Sequence, residues 1–186
     1  MQQAEHVQGS ATTAEAERRG KACGIKGVPL LSTLSALSIP HSFPYEFMHL
    51  MYENTLKNLQ LLWTTNFKGI NSATEGYRLT PEVWASIWDA RKAAGRTIPS
   101  AMGPNMPNSA PDAIQWTADS RCHWALYIAP VVLKGRFPDP HVYTHFINLV
   151  ELIKKCMQFD MARSEIAVIR QGFAQWVTTF EKCVLE

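Results

Sequence analysis

Residues 44–63 read PYEFMHLMYENTLKNLQLLW, and this stretch decides the fold class. Pro44 suits the first turn of a helix, because its ring presets φ and its missing N–H would have had no partner there. Ser42 just ahead can act as the cap. Phe47, Leu50, Met51, Leu56, Leu59, Leu62 and Trp63 recur at spacings of three and four, so a broad apolar stripe runs along the predicted helix.

Outward from this helix the pattern repeats. Thr80-Pro81-Glu82 starts a second helix, with a capping hydroxyl, a proline at the first helical position and a carboxylate at the positive end of the dipole. It presents Val83, Trp84, Ile87, Trp88 and Ala94 and stops at Gly95. A third helix is predicted over 118–133, capped by Thr117 and kinked or ended near Pro130. Asp139-Pro140 opens a fourth that runs to about Phe159. A fifth, from about Arg163 to Val184, carries Ile166, Ile169, Phe173, Trp176, Val177 and Phe180 on one face. No run alternates with period two, and no segment repeats. The predicted fold is therefore mainly α, with about five helices in a single helical domain over 25–186. Residues 1–24 lack large apolar residues apart from Val7 and are expected to form a flexible or disordered arm, although Thr13 to Lys21 can form a solvated helix. A Gly/Asn loop over 67–76 and a long Pro/Asn-rich connection over 96–113 complete the chain.

Composition narrows the function classes. The chain has 186 residues, 46% hydrophobic and 18% charged, with a net charge of +2 and no basic stripe. That argues against a dedicated nucleic-acid-binding domain, whose affinity rests on many Lys and Arg contacts to phosphate. The most apolar run, Trp124 to Leu133, is broken by Pro130 and is half the ~20 residues needed to span a bilayer. No secretory or mitochondrial leader is visible in the first 24 residues, so an intracellular, soluble protein with no membrane partner is expected. Cys23, Cys122, Cys156 and Cys183 are scattered without a Cys-x-x-Cys pair, as for thiols in a reducing compartment, which disfavours both a disulfide framework and structural zinc.

Two pairs of residues could carry chemistry. Glu46 and His49 stand at i and i+3, which on a helix places a carboxylate beside an imidazole: either a local hydrogen bond, an oriented base, or part of a metal site. His141 and His145 stand at i and i+4, the spacing that puts two imidazoles on one helix face as metal ligands. No Glu follows the first His as in a zinc protease, and a third ligand would have to come from Cys122 or His123 through the fold. The six tryptophans fall on apolar faces and read as core, since base-stacking platforms interleave aromatics with Lys and Arg. No Gly-rich phosphate loop or nucleophile elbow occurs.

Several segments carry a family resemblance. Gly24-Ile-Lys-Gly-Val-Pro-Leu-Leu-Ser-Thr-Leu34, Ser42-Phe-Pro-Tyr-Glu-Phe-Met-His-Leu50, and Asn58-Leu-Gln-Leu-Leu-Trp63 with Phe67-Lys-Gly69 resemble an internal part of the long transposase-like proteins of mushroom-forming fungi. Ile98-Pro-Ser-Ala101, Trp124-Ala-Leu-Tyr-Ile-Ala-Pro130, His145-Phe-Ile147 with Leu149-Val150, Gln158-Phe159, Glu165-Ile166, Arg170-Gln-Gly-Phe173 and Trp176 agree, so the resemblance covers nearly the whole chain. Those proteins are similar to CACTA (En/Spm) transposases, whose plant members carry Asp-x-Met-His.

The resemblance implies a ribonuclease-H-like DDE transposase as parent, cutting and joining DNA at divalent metal ions such as magnesium, with this chain as its helical insertion region. Glu46 and His49 are the residues that match the acidic-x-x-His signature, and Glu46 would then be a metal ligand. Where the family carries aspartate, Glu46 is one methylene longer, a displacement of about an ångström that can cost on the order of a hundredfold in rate. In longer relatives the first catalytic aspartate precedes the position of Met1 and a candidate glutamate follows that of Glu186, so the chain is expected to be a transposase-derived fragment, not catalytic on its own. The rest of the transposase, or a second copy, would be its partner, and nuclear location follows from the resemblance. Two other classes stay open: a helical protein-interaction module, and a small metalloprotein using His141 and His145.

Overall fold

The computed structural model describes residues 2–38, 41–64, 67, 76–94 and 116–185. The fold is mainly helical, and no strand occurs among the described residues. The loop expected over 96–113 and most of that over 67–76 lie outside them. The chain divides into two compact units, Met1–Glu46 and Phe47–Glu186.

The first unit holds α1 (Gln2–Gln8) and α2 (Thr13–Cys23), followed by a 3-10 turn at Leu30–Thr33. Thr12 caps α2 by accepting from the Glu15 amide, and Gly24 ends it in the left-handed conformation at φ 71°. Helices pair here because Ala4 and Val7 of α1 are buried. The segment expected as an arm thus contains two helices.

Among the described residues the second unit contains five helical stretches. α3 begins as a π-helix over Met48–Leu56 and continues as a regular helix over Lys57–Thr64. α4 spans Pro81–Ala94. α5 runs regular over Ala118–His123, π-helical over Trp124–Ile128 and regular again over Ala129–Val132. α6 spans Pro140–Cys156 and α7 Arg163–Leu185. The predicted caps at Thr80, Thr117 and Asp139 each accept a backbone N–H, from Val83, Ser120 and His141 respectively.

Two differences from the expected helices have local causes. The first helix starts after Glu46, and Ser42 accepts from the Ser38 amide instead of capping it. Its wide π turns bury Met51, Tyr52 and Leu56 but leave Leu50 41% exposed, although a 3.6-residue period puts Leu50 on the apolar stripe. In α5 the helix passes Pro130 and ends two residues later, at Val132. A proline in a helix clashes with the carbonyl four residues back, here that of Leu126, and the π turn just before it widens the helix so that the Ala129 amide bonds to Trp124 O instead.

The core of this unit is aromatic. Trp84, Trp88, Trp116 and Trp124 close a ring of edge-to-face contacts, with successive centroids 5.9, 5.5, 5.7 and 6.3 Å apart. Trp124 and Trp63 both reach Phe146, joining the ring to α3 and α6. All six tryptophans are buried. The Nε1–H groups of Trp88 and Trp116 are buried without a hydrogen-bond partner among the described residues. Edge-to-face packing directs positive ring edges at negative ring faces, which favours this arrangement of the four rings. Arg91 lies over the Trp88 ring, 5.5 Å from its centroid.

Candidate functional site

The described groove lies between α6 and α7. These helices pair antiparallel, because His145 meets Trp176 while Leu152, further along α6, meets Gly172, earlier on α7. Gly172 sets the spacing: a Cβ there would stand 2.5 Å from Leu152 Cδ2. On one side of this contact the hairpin opens into a groove of about 450 Å³. His141, Thr144, Asn148 and Lys155 line it from α6, and Gln175 and Thr179 from α7.

His145 and Trp176 form its floor. The Trp176 indole N–H donates to His145 O at 3.0 Å, and His145 Nε2 lies 2.9 Å from Trp176 O. A carbonyl can only accept, so Nε2 carries the proton. The two rings stack at 4.5 Å between centroids and 18° between planes, and Phe180 extends the stack. Burial pushes the imidazole pKa below its ordinary value of 6.5, while the bond to Trp176 O pulls it partly back. His145 is accordingly a neutral, positionally locked ring at neutral pH.

This geometry bears on the expected metal pair. Both His141 and His145 line the groove, as their i, i+4 spacing requires, yet Nε2 of His145 is spent on a carbonyl. Cys122 and His123 sit on α5, where Cys122 hydrogen-bonds with Tyr52 and His123 Nδ1 bonds at 3.0 Å to Asp119 O of its own helix. Among the described residues no three His, Cys, Asp or Glu side chains gather as a metal site, so His141 and His145 find no third ligand there. The groove hydroxyls are also engaged: Thr144 donates to Pro140 O and Thr179 to Gln175 O. The groove offers hydrogen-bonding surface and no nucleophile–base pair.

Glu46 and His49 fall on either side of the division between the units. Glu46 is exposed in the non-helical last residue of the first unit, and His49 is exposed on the π-helical turns of α3. No regular helix runs through both residues.

Two polar contacts in the second unit were not foreseen from the sequence. Arg121, with a side chain 2% exposed, donates to Glu53 Oε1 at 3.2 Å. Tyr52 Oη donates to Met157 Sδ at 3.2 Å, and burial followed by its bond with Cys122 pushes the phenol pKa up. Burial likewise raises the thiol pKa of Cys122 and Cys156. Of the residues the sequence reading missed, Gly172 alone left a signal: a glycine inside an apolar helical pattern marks a close approach.

No protein-family model matches the chain, and neither does any curated protein or any solved structure. No helix among the described residues is long and apolar enough to cross a membrane.

Proposed function

We propose that the chain is a helical, non-catalytic part of a CACTA-type transposase protein, whose parent activity is metal-dependent DNA strand cleavage and transfer in the nucleus. The support is the series of segments that resemble that family along nearly the whole chain. Glu46 is the residue that would hold a metal ion in a complete parent, with magnesium supplying the charge that stabilises the transferring phosphoryl group. Purified chain incubated with supercoiled plasmid and magnesium or manganese is expected to nick no faster than its Glu46→Ala variant. Nicking that needs the metal and disappears in Glu46→Ala would contradict the reading.

A second reading, a helical protein-interaction module, has a specific observation in its favour. Met157, Phe159 and Met161 at the α6–α7 turn, and Ile166, Val168 and Val177 on α7, are exposed, with Phe159 fully so. Ile166 and Val177 share one side of α7, and contiguous exposed apolar residues mark interaction surfaces. The two readings are compatible, because an insertion region of a transposase can serve its assembly.

A further inference from the structure

Met157 closes α6, and its amide donates the last bonds of that helix, to the carbonyls of Ile153, Lys154 and Lys155. The residue is 50% exposed. Its sulfur is nevertheless engaged from within: the Tyr52 hydroxyl, reaching from α3, donates to Sδ at 3.2 Å. Tyr52 is buried, with Phe47 edge-on to its ring at 6.0 Å and the Cys122 thiol of α5 hydrogen-bonded with its hydroxyl. One phenol therefore ties α3, α5 and the end of α6 together, and the tie ends on a group that reaches the surface. That group is a thioether, which an oxidant converts from an apolar side chain into a polar one and which needs no ionisation to react. Burial raises the pKa of the Cys122 and Cys156 thiols, so little of either is thiolate, the form that peroxide attacks.

We infer that Met157 is an oxidation site at which hydrogen peroxide releases this tie. Peroxide reaches the sulfur from solvent, since buried Tyr52 closes the other side. A sulfur electron pair forms the S–O bond as the O–O bond breaks, so the sulfur is oxidised and the peroxide reduced. The proton of the transferred oxygen passes to the departing one, which leaves as water. The new oxygen points to solvent, away from Tyr52, and draws charge from the sulfur, which then accepts poorly. The buried Tyr52 hydroxyl loses its acceptor, and the end of α6 loosens from α3. A methionine sulfoxide reductase restores the thioether, so the release is reversible. The inference rests on the geometry around Met157 and is independent of the transposase reading.

The full chain treated with dilute hydrogen peroxide, then with a thiol reductant, and followed by peptide mass spectrometry and thermal melting tests this. Sulfoxide is expected at Met157 well before it forms at buried Met51, with a fall in Tm of roughly 2–4 °C, the shift for one lost hydrogen bond in a chain of this size. Methionine sulfoxide reductase should return the Tm to its starting value. Met157→Leu, close in volume and at an exposed position, should keep the fold and lose most of the peroxide-dependent shift, which separates Met157 from the other methionines. Tyr52→Phe, which lacks the hydroxyl, should melt lower before treatment and lose little more on oxidation. The inference is overturned if Met157 oxidises no faster than Met51, if the oxidised chain keeps its Tm, or if Met157→Leu or Tyr52→Phe loses as much on oxidation as the unaltered chain.

Discussion

At the scale of single residues, half-buried His145 and buried Arg121 give measurable effects. His145 has a folded-state pKa below the ordinary 6.5 because burial disfavours its charged form. The unfolded chain therefore takes up this proton first as pH falls, so the contribution of His145 to stability is full above about pH 6.5 and is lost on acidification. Thermal melts are expected to show a lower Tm at pH 5 than at pH 7, and His145→Gln, which keeps a donor but cannot titrate, should flatten that slope. Equal slopes for both proteins would exclude His145 as the cause. Glu53→Ala withdraws a carboxylate from the almost fully buried Arg121 and should destabilise by about 1.5–3 kcal/mol in urea titration, the range for a hydrogen bond to a charged group. Neither contact was legible in the sequence. The spacing of His141 and His145 put both imidazoles on one helix face, but that one of them is held by a tryptophan 31 positions away is a fact of the fold.

At the scale of elements, legibility followed the range of the forces. The caps at Thr80, Thr117 and Asp139 were readable because each is a bond to an amide two or three residues on. The π-helical course of Met48–Leu56 was not, since Leu50 fits a regular stripe as well as its neighbours do and only the packing of Tyr52 and Leu56 distinguishes them. The stripe on α7 was read as one face, and the structure divides it into a buried and an open half. Helix spacing here hangs on Gly172. Gly172→Ala meets only the end of the Leu152 side chain, which can turn, and alanine gains up to about 1 kcal/mol of helix propensity, so the two effects should cancel to within about 1 kcal/mol. Gly172→Leu cannot be accommodated by one rotamer and is expected to cost about 1–3 kcal/mol by urea denaturation. A neutral Gly172→Leu would show that α6 and α7 are not in close contact at this point.

At the scale of the whole molecule, the core of the second unit is built from residues between Met51 and Trp176. A mainly helical chain was legible from periodicity, and so was the burial of the tryptophans. The closing of four of them into a ring was not, because it joins α4, Trp116 just before the cap of α5, and α5 itself across positions 84 to 124. Trp124→Ala removes a side chain that touches Trp84, Trp116 and Phe146 at once and should cost about 3–5 kcal/mol. The central structural claim is that Phe47–Glu186 is one cooperative helical body around these rings. Thermal unfolding of that unit, followed together by far-ultraviolet circular dichroism and tryptophan fluorescence, tests it most directly. Coincident single transitions are predicted. Helix loss with no matching fluorescence change, or two separated transitions, would contradict it.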